Sequence, residues 1–263
     1  MNILLFLAAL ISTTFVGCSF KANSAVPEQV QQTDSEQFAD RVPVLVELFT
    51  SEGCSSCPPA DKTLSFLRST QPVRGAEVIT LGYHVDYWDY LGWKDPFSSP
   101  EFSRRQEFYV RAFGLGSSYT PQMVVDGQSE FVGSNMENAV TAIGEAVAHR
   151  KGTISFSMNE KGLGIVISSL SEHQGANVIL AIAEDGLETN VKRGENGGKK
   201  LSHISVVRSL HTLGRIDSKK DSASFTFEID ESEVKAGSGK YFVAFVQDEK
   251  TKRVLAVGKS QSN

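Results

Sequence analysis

Hydrophobic and polar positions follow two different patterns along this chain, one on each side of residue 150. Before residue 150, β-branched and aliphatic stretches typical of buried strands alternate with stretches whose apolar residues recur at helical spacing. After it, nearly all apolar stretches are short and alternating, and Gly, Asn or Asp separate them. We therefore expect an α/β domain over residues 42–150 and an all-β, sandwich-like domain over residues 151–263.

The first part predicts a mixed sheet flanked by helices, in the order strand, helix, strand, helical insertion, hairpin, helix. Pro58 opens the first helix, where a missing N–H costs little. Ser134 and Glu137 predict a capping box for the last helix. The expected strands cover residues 42–49, 77–83, 122–125 and 130–132, and the expected helices cover 60–68, 100–113 and 134–150.

The second part predicts an antiparallel sandwich of short strands. They are expected at residues 153–158, 164–170, 177–183, 204–213, 223–229, 241–247 and 254–258. Residues 194–200 form a turn-rich segment without the spacing of a phosphate loop. A plain hairpin loop is the simpler interpretation, and the alternative is a loop that reaches the active site together with His203 and Arg208.

The extreme N-terminus predicts export. Residues 1–17 carry no charge and contain a short apolar core typical of a signal peptide. Cys18 directly follows Gly17, as at a bacterial lipoprotein processing site, so we expect a lipidated Cys18 at the start of the mature protein. Cleavage near Ser24, which would discard Cys18, is the alternative. Residues 18–41 are polar and predict a tether, and the protein is expected in the periplasm as a membrane-anchored lipoprotein.

Composition excludes several classes of protein. The 263 residues include 26 basic and 31 acidic ones, for a net charge of −5, and 40% are hydrophobic. This is globular composition, and the acidic balance argues against nucleic acid as a partner. Three cysteines are too few for a disulfide scaffold. The one long apolar stretch, at the N-terminus, excludes a multi-span membrane protein, so any membrane contact is expected through the lipid anchor.

The candidate chemistry centres on Cys54-Ser55-Ser56-Cys57, between a predicted buried strand and a helix N-terminus. The positive end of a helix favours the thiolate, which is the reactive form. A second thiol three residues later can resolve a mixed disulfide formed at the first. We expect Cys54 to attack, because it lies further toward the exposed helix tip, and Cys57, more shielded within the first turn, to resolve. A zinc half-site, a purely structural disulfide and a pair of inert buried thiols are the alternatives.

These segments resemble thioredoxin-like proteins. Residues 44–49 leading into the Cys54–Cys57 motif resemble their first strand and active-site turn. Thr120-Pro121 resembles their cis-proline loop, whose backbone offers an edge to the substrate polypeptide. The resemblance implies a thioredoxin-like fold and a cis peptide bond before Pro121, with an ordinary trans proline as the alternative. Glu47 would correspond to their buried acid, although it lies one residue further from the first cysteine.

The chain more closely resembles a secreted bacterial family known as domain of unknown function 1223. The resemblance covers about residue 42 to the C-terminus and is carried by residues 47–61, 83–89, 119–122 and 194–196. It supports the thioredoxin-like fold and implies no established activity.

An aromatic and acidic insertion follows the second predicted strand, where open α/β sheets commonly bind ligands. Tyr87 and Trp88, with Tyr119 from the later loop, could bind substrate, and His84 could stabilise a Cys54 thiolate or relay a proton. The alternatives are simple packing of these rings onto the sheet and a metal site formed by His84 with Asp86 and Asp89.

Together these observations predict an exported protein that exchanges thiols and disulfides with another exported protein and needs no cofactor. The expected catalytic residues are Cys54, Cys57, Thr120, Pro121, His84 and Glu47. A Cu(I) carrier, with Met123 as a third soft ligand, and a non-catalytic interaction module remain open as alternatives. The sequence does not predict the oligomeric state.

Overall fold

A computed structural model describes Met1 and residues 41–160, 162–229 and 239–260. Apart from Met1, the expected signal peptide therefore lies outside the described residues, as do the expected lipidated Cys18 and all of the tether before Arg41. The described helices are α1 (Pro58–Thr70), α2 (Pro100–Phe113) and α3 (Met136–Val147). The strands are β1 (Val42–Thr50), β2 (Ala76–His84), β3 (Gln122–Val125), β4 (Ser129–Val132), β5 (Thr153–Asn159), β6 (Gly162–Ser168), β7 (Ala176–Glu184), β8 (Leu187–Asn190), β9 (Lys200–His203), β10 (Val206–Ile216), β11 (Ala223–Phe227), β12 (Lys240–Asp248) and β13 (Val254–Lys259).

One mixed sheet of eight strands organises the described chain, in the order β13-β12-β7-β10-β2-β1-β3-β4. Strands β1 and β2 are parallel, and β3 and β4 continue the sheet as an antiparallel hairpin. Strand β10 joins the two halves of the chain, because Val206 pairs in parallel with Gly82 of β2. The carboxyl ends of β1 and β2 therefore meet at one edge of the sheet, where the dithiol segment begins.

Alternation along β1 explains how the helices cover the sheet. Leu45 and Phe49 point into a core shared with α2, whereas Val46 and Leu48 point into a core shared with α1 and α3. Both cores are fully apolar at these strand positions, as expected for a central strand buried on two faces. The helix that follows the dithiol therefore lies on the opposite face of the sheet from the helical insertion.

The expected separate β-sandwich needs correction. Strands β5, β6 and β11 do form a second, antiparallel sheet, and its apolar face packs on alternate residues of β7 and β12. However, β7 and β12 belong to the same eight-stranded sheet as β1. Their other face shares a core with Phe49 and Tyr83. The second half is β-rich as predicted, but one layer of its sandwich is the continuation of the first half's sheet.

Most predicted elements are confirmed within a few residues. The capping box at Ser134 is wrong: Asn135 caps α3 instead, its side chain accepting the Asn138 N–H at 3.0 Å. Strands β8 and β9 were not predicted, since each has only four residues and a mainly polar pattern. Across the described ranges, no helix is both long and apolar enough to cross a bilayer.

Candidate functional site

The dithiol occupies the turn between β1 and α1. Cys54 and Cys57 are joined by a disulfide, and Cys57 is the N-cap residue of α1. The Cys57 carbonyl accepts the Ala60 N–H at 2.8 Å and so starts the helix, with Pro58 in its first turn. The predicted strand–dithiol–helix arrangement is therefore observed, with the partial positive charge of the helix start at the cysteines.

Both cysteines are completely buried, whereas Ser55 and Ser56 between them are exposed. The expectation that Cys54 lies at an exposed helix tip is wrong in this oxidised state. The sequence could not show this burial, because the residues that cover the turn come from distant parts of the chain. Any chemistry of the disulfide with another protein therefore requires the covering residues to move.

One covering element is the loop between β8 and β9, here called the cap loop (residues 191–199). The buried side-chain amide of Asn196 donates to the carbonyls of Glu52 and Cys54, at 2.8 and 2.9 Å. The Glu195 carboxylate accepts the Ser55 N–H at 2.9 Å. The segment is a hairpin loop between β8 and β9, as the simpler interpretation expected, and it also reaches the dithiol turn, as the alternative did. His203 contacts Glu52 at this site, whereas Arg208 lies over the Phe97 ring and near Glu184.

The aromatic insertion approaches the same turn from another side. The Trp88 indole donates to the Thr120 hydroxyl at 2.8 Å, and its Cβ lies only 3.0 Å from where a side chain on Gly53 would begin. Trp88 thus connects the segment before Cys54 with the segment before Pro121. Gly53 is the residue type that permits this close approach.

The other predicted binding residues lie beside Trp88. The Tyr87 hydroxyl donates to the Gln106 side chain at 3.0 Å, and the Gln106 amide donates to the Tyr119 carbonyl at 2.7 Å. Tyr87 and Trp88 also pack against the core on the α2 face, so their rings have a structural role. The peptide bond between Thr120 and Pro121 is cis, as the resemblance implied.

A buried polar cluster lies beneath the turn. Glu52 is fully buried, and its carboxylate accepts the Trp93 indole N–H at 2.8 Å and lies 3.2 Å from His203 Nε2. Its backbone N–H donates to Asp95 at 2.8 Å, and the same Asp95 oxygen lies 2.7 Å from His84 Nδ1. The rings of His84 and His203 stack edge to face, with centroids 4.7 Å apart.

Asp61 completes this cluster from α1, one helical turn after Cys57. Its carboxylate accepts the Thr50 hydroxyl at 3.0 Å and lies 3.9 Å from His203 Nδ1. That His203 nitrogen is buried and has no hydrogen-bond partner among the described residues. A small cavity lies between these groups, lined also by His84. Ionisable side chains from both halves of the chain therefore meet directly behind the dithiol.

Burial and pairing act in opposite directions on these groups. Burial raises the pKa of Asp61, and His203, His84 and Thr50 offset this only in part. Burial alone would lower the pKa of His84, but Asp95, together with Asp61 and Glu52, outweighs it and the pKa is raised. Burial would likewise raise the pKa of Asp95, but His84 and two backbone N–H donors lower it. His84 and Asp95 thus stabilise each other as an ion pair.

Two predicted roles for site residues do not fit their positions. Glu47 shares the α2-facing side of β1, where it pairs with Arg105 at 2.6 Å and accepts the Tyr109 hydroxyl. It therefore faces away from α1 and the dithiol. His84 lies on the α1 side, but its described contacts are with the buried cluster and with Phe97, not with the sulfur atoms.

The suggested metal ligands of the insertion have other partners. Asp86 accepts the Ser103 hydroxyl at 2.5 Å, and Asp89 accepts the Ser98 hydroxyl at 2.8 Å and the Asp95 N–H at 3.2 Å. These carboxylates hold the turns of the insertion together. Within the described ranges, no three His, Cys, Asp or Glu side chains are grouped as metal ligands.

The fold and the dithiol segment have relatives among known proteins. The chain belongs to the family described as protein of unknown function (DUF1223), whose profile matches residues 45–247. A crystal structure of an Agrobacterium tumefaciens protein is 27% identical, with a TM-score of 0.69, covering 85% of this chain and 96% of that one. HBP35 of Porphyromonas gingivalis is 12% identical, with a TM-score of 0.57, covering 84% and 75%. A search of curated proteins found no match.

The sequence patterns predicted no individual role for Asn196 or Glu195, and they placed His203 at this site only as an alternative. Glycine, asparagine and charged residues are common in turns, so their pattern predicts a loop and no particular contact. The available signal was the family resemblance, in which Gly194-Glu195-Asn196 occurs together with the dithiol segment. Residues shared by a family but far apart in sequence can meet in space, as these do.

Proposed function

We propose that this protein is an exported thiol–disulfide oxidoreductase of thioredoxin-like fold, acting on another exported protein through Cys54 and Cys57. The observation that carries the proposal is the disulfide at the start of α1, with Cys57 as the N-cap residue and the parallel strands β1 and β2 behind it. A thiolate formed at this position gains from the partial positive charge of the helix start.

The exchange needs no cofactor because the two cysteines hold the electrons. When the protein oxidises a substrate, a substrate thiolate attacks the Cys54 sulfur, the Cys54–Cys57 bond breaks, and Cys57 leaves as a thiolate. A second substrate thiol then displaces Cys54, so the substrate gains a disulfide and the protein becomes a dithiol. When the protein reduces a substrate, the same steps run in reverse.

The surroundings of the turn support a polypeptide substrate. Half-buried aromatic residues border it, and Trp88 ties it to the segment of Thr120 and Pro121. Tyr90, in the same insertion, exposes 81% of its surface, and Leu91 beside it exposes 41%. Aromatic and apolar surface of this kind is enriched where proteins bind one another. Since both cysteines are buried, substrate entry must accompany displacement of the cap loop.

The test is substrate exchange by single cysteine variants. Cys54→Ser should abolish reduction of a disulfide-containing protein such as insulin, because the attacking thiol is lost. Cys57→Ser should instead accumulate mixed disulfides, because nothing within the protein resolves them. Wild-type protein and Ser222→Ala, which removes an exposed hydroxyl just before β11 and keeps both thiols, serve as controls. Full activity in either cysteine variant would contradict the mechanism.

The reduction potential provides an independent test. Equilibration of the full-length protein with glutathione, followed by alkylation of Cys54 and Cys57, should give a potential between about −120 and −270 mV, the range of known exchangers. A potential below about −300 mV would indicate a structural disulfide and would overturn the proposal.

A further inference from the structure

The cap loop brings a carboxylate to the dithiol turn. Glu195 is exposed, yet its carboxylate accepts the backbone N–H of Ser55, the residue directly after Cys54, at 2.9 Å. The Ser55 hydrogen bonds lower the pKa of Glu195, so this carboxylate is ionised at neutral pH. A negative charge from the second half of the chain therefore lies beside the cysteine expected to attack.

The loop holds this carboxylate in place. Gly194 has φ +76°, and a side chain there would begin 3.3 Å from the Trp93 Cβ, so only glycine fits without strain. Next to Glu195, the buried Asn196 bonds the carbonyls of Glu52 and Cys54. Lys199 then bonds the Asn196 oxygen at 2.9 Å. Glu195 is thus anchored on both sides while its own side chain remains at the surface.

The two oxidation states of the dithiol respond differently to this charge. The disulfide is neutral and has no conflict with a neighbouring carboxylate. A Cys54 thiolate, in contrast, is repelled by it and also loses the Ser55 N–H as a free donor. Two further carboxylates near the turn have other partners: Glu52 has His203 and Trp93, and Asp61 has Thr50. The Ser56 hydroxyl, 3.3 Å from the Cys54 sulfur, is neutral, so Glu195 is the exposed charged group bonded to the backbone beside Cys54.

We propose that Glu195 is a positioning residue that favours the closed disulfide, because its carboxylate occupies the Ser55 N–H and opposes negative charge at Cys54. The inference rests on the proposed exchange at Cys54 and Cys57 and concerns its equilibrium. Reduction forms a thiolate at Cys54, weakens the bond between Glu195 and Ser55, and thereby loosens the cap loop that buries the sulfurs. The oxidation state and the covering of the site are coupled through one side chain.

The test compares wild-type protein with Glu195→Gln in glutathione buffers at pH 8. Two glutathione thiols reduce the Cys54–Cys57 bond, leave as oxidised glutathione, and transfer two electrons to the cysteines. The substituted glutamine can still accept the Ser55 N–H but carries no charge. The Ser55 nitrogen is bonded to the Cys54 carbonyl carbon, so the sulfur lies within about 7 Å of the carboxylate. A unit charge at that distance in a water-like medium changes the equilibrium constant about threefold.

We therefore expect Glu195→Gln to raise the equilibrium constant for reduction about threefold, which is about 14 mV at about 30 mV per tenfold change. The pKa of Cys54 in the reduced protein should fall in parallel, a change that a merely structural role would not produce. Glu188→Gln is the matched control, since Glu188 is an exposed carboxylate on the adjoining β8, paired with Lys200 at 2.8 Å. It should leave both values unchanged.

An equal equilibrium constant and Cys54 pKa in wild type and Glu195→Gln would overturn the role of Glu195. This result is distinct from failure of the proposed function. Failure of the function would be a wild-type potential below about −300 mV or absence of substrate exchange, and each is measured on the wild-type protein. The ratio of the two equilibrium constants for reduction can be measured at any wild-type potential. A change in that ratio therefore tests Glu195 separately from the proposed function.

Discussion

At the scale of single residues, the ion pair of His84 and Asp95 links stability to pH. The pKa of His84 is raised above 6.5 and that of Asp95 is lowered below 3.8. His84 therefore contributes stability that is fully present below pH 6.5 and is lost as the pH rises through its folded pKa. Asp95 contributes stability that is present above pH 3.8 and is lost as the pH falls through its folded pKa. The pair stabilises the fold most between these values.

Asp95→Asn should consequently destabilise the protein more at pH 5.5 than at pH 9. The variant removes the main counter-charge that keeps the buried His84 protonated, so the folded state no longer gains from binding this proton, and the free energy of unfolding should drop at least about 1 kcal/mol further at pH 5.5. Urea unfolding of the oxidised protein at both pH values measures this. Glu107→Gln removes half of an exposed pair with Arg111 and should change stability by less than about 0.5 kcal/mol. An equal loss at both pH values would contradict the proposed linkage.

Replacement of Asp61 should stabilise the protein, in contrast to replacement of Asp95. Burial raises its pKa, so the folded state binds a proton more tightly than the unfolded state, and stability falls as the pH rises through that pKa. Asp61→Asn keeps an acceptor for Thr50 without the charge. It should therefore be more stable than wild type by about 1 kcal/mol at pH 8 and equal to it near pH 4. Asp217→Asn, at a 68% exposed carboxylate, is the control for urea unfolding. Destabilisation by Asp61→Asn at pH 8 would refute this reasoning.

At the scale of elements, the cap loop should control how fast the disulfide can be reached. Asn196→Ala removes two buried hydrogen bonds and leaves the carbonyls of Glu52 and Cys54 without this donor. We expect it to lower the free energy of unfolding by about 2 kcal/mol and to speed reduction by dithiothreitol. Asn190→Ala, at an exposed position of β8, should reduce at the wild-type rate. A wild-type reduction rate in Asn196→Ala would show that the loop does not limit access.

The elements also show what the sequence could and could not predict. Nearly continuous apolar runs were sufficient to predict β1 and β2, because a central strand is buried on both faces. The dithiol turn was predictable because its chemistry requires two cysteines at fixed spacing before a helix. The cap loop was not, since Asn196 reaches the turn across 142 residues of sequence. Contacts of that range depend on sheet order, which local patterning does not encode.

At the scale of the whole molecule, strand order determines which part of the chain can fold. Residues 42–150 were expected to form a domain of their own. However, β2 lies between β1 and β10, so a strand from the second half pairs with it. Phe245 and Val254 from the C-terminal strands lie in the same core as Phe49 and Tyr83. Without them, this core would be open to water over one face of β1 and β2. The first half therefore depends on the second for its stability, and for Asn196 and His203 at the site.

A fragment ending at residue 150 should accordingly fail to fold. It lacks the partner of β2 and the strands that close the core around Phe49, so its buried apolar area cannot offset the conformational entropy of ordering the chain. Circular dichroism of the fragment comprising residues 41–150 should show no cooperative thermal transition, whereas residues 41–260 should show one. Cooperative unfolding of the shorter fragment would mean that β1, β2 and the helices form a core of their own. In that case the cap loop and His203 would be additions to an independent redox domain, and exchange should survive their removal.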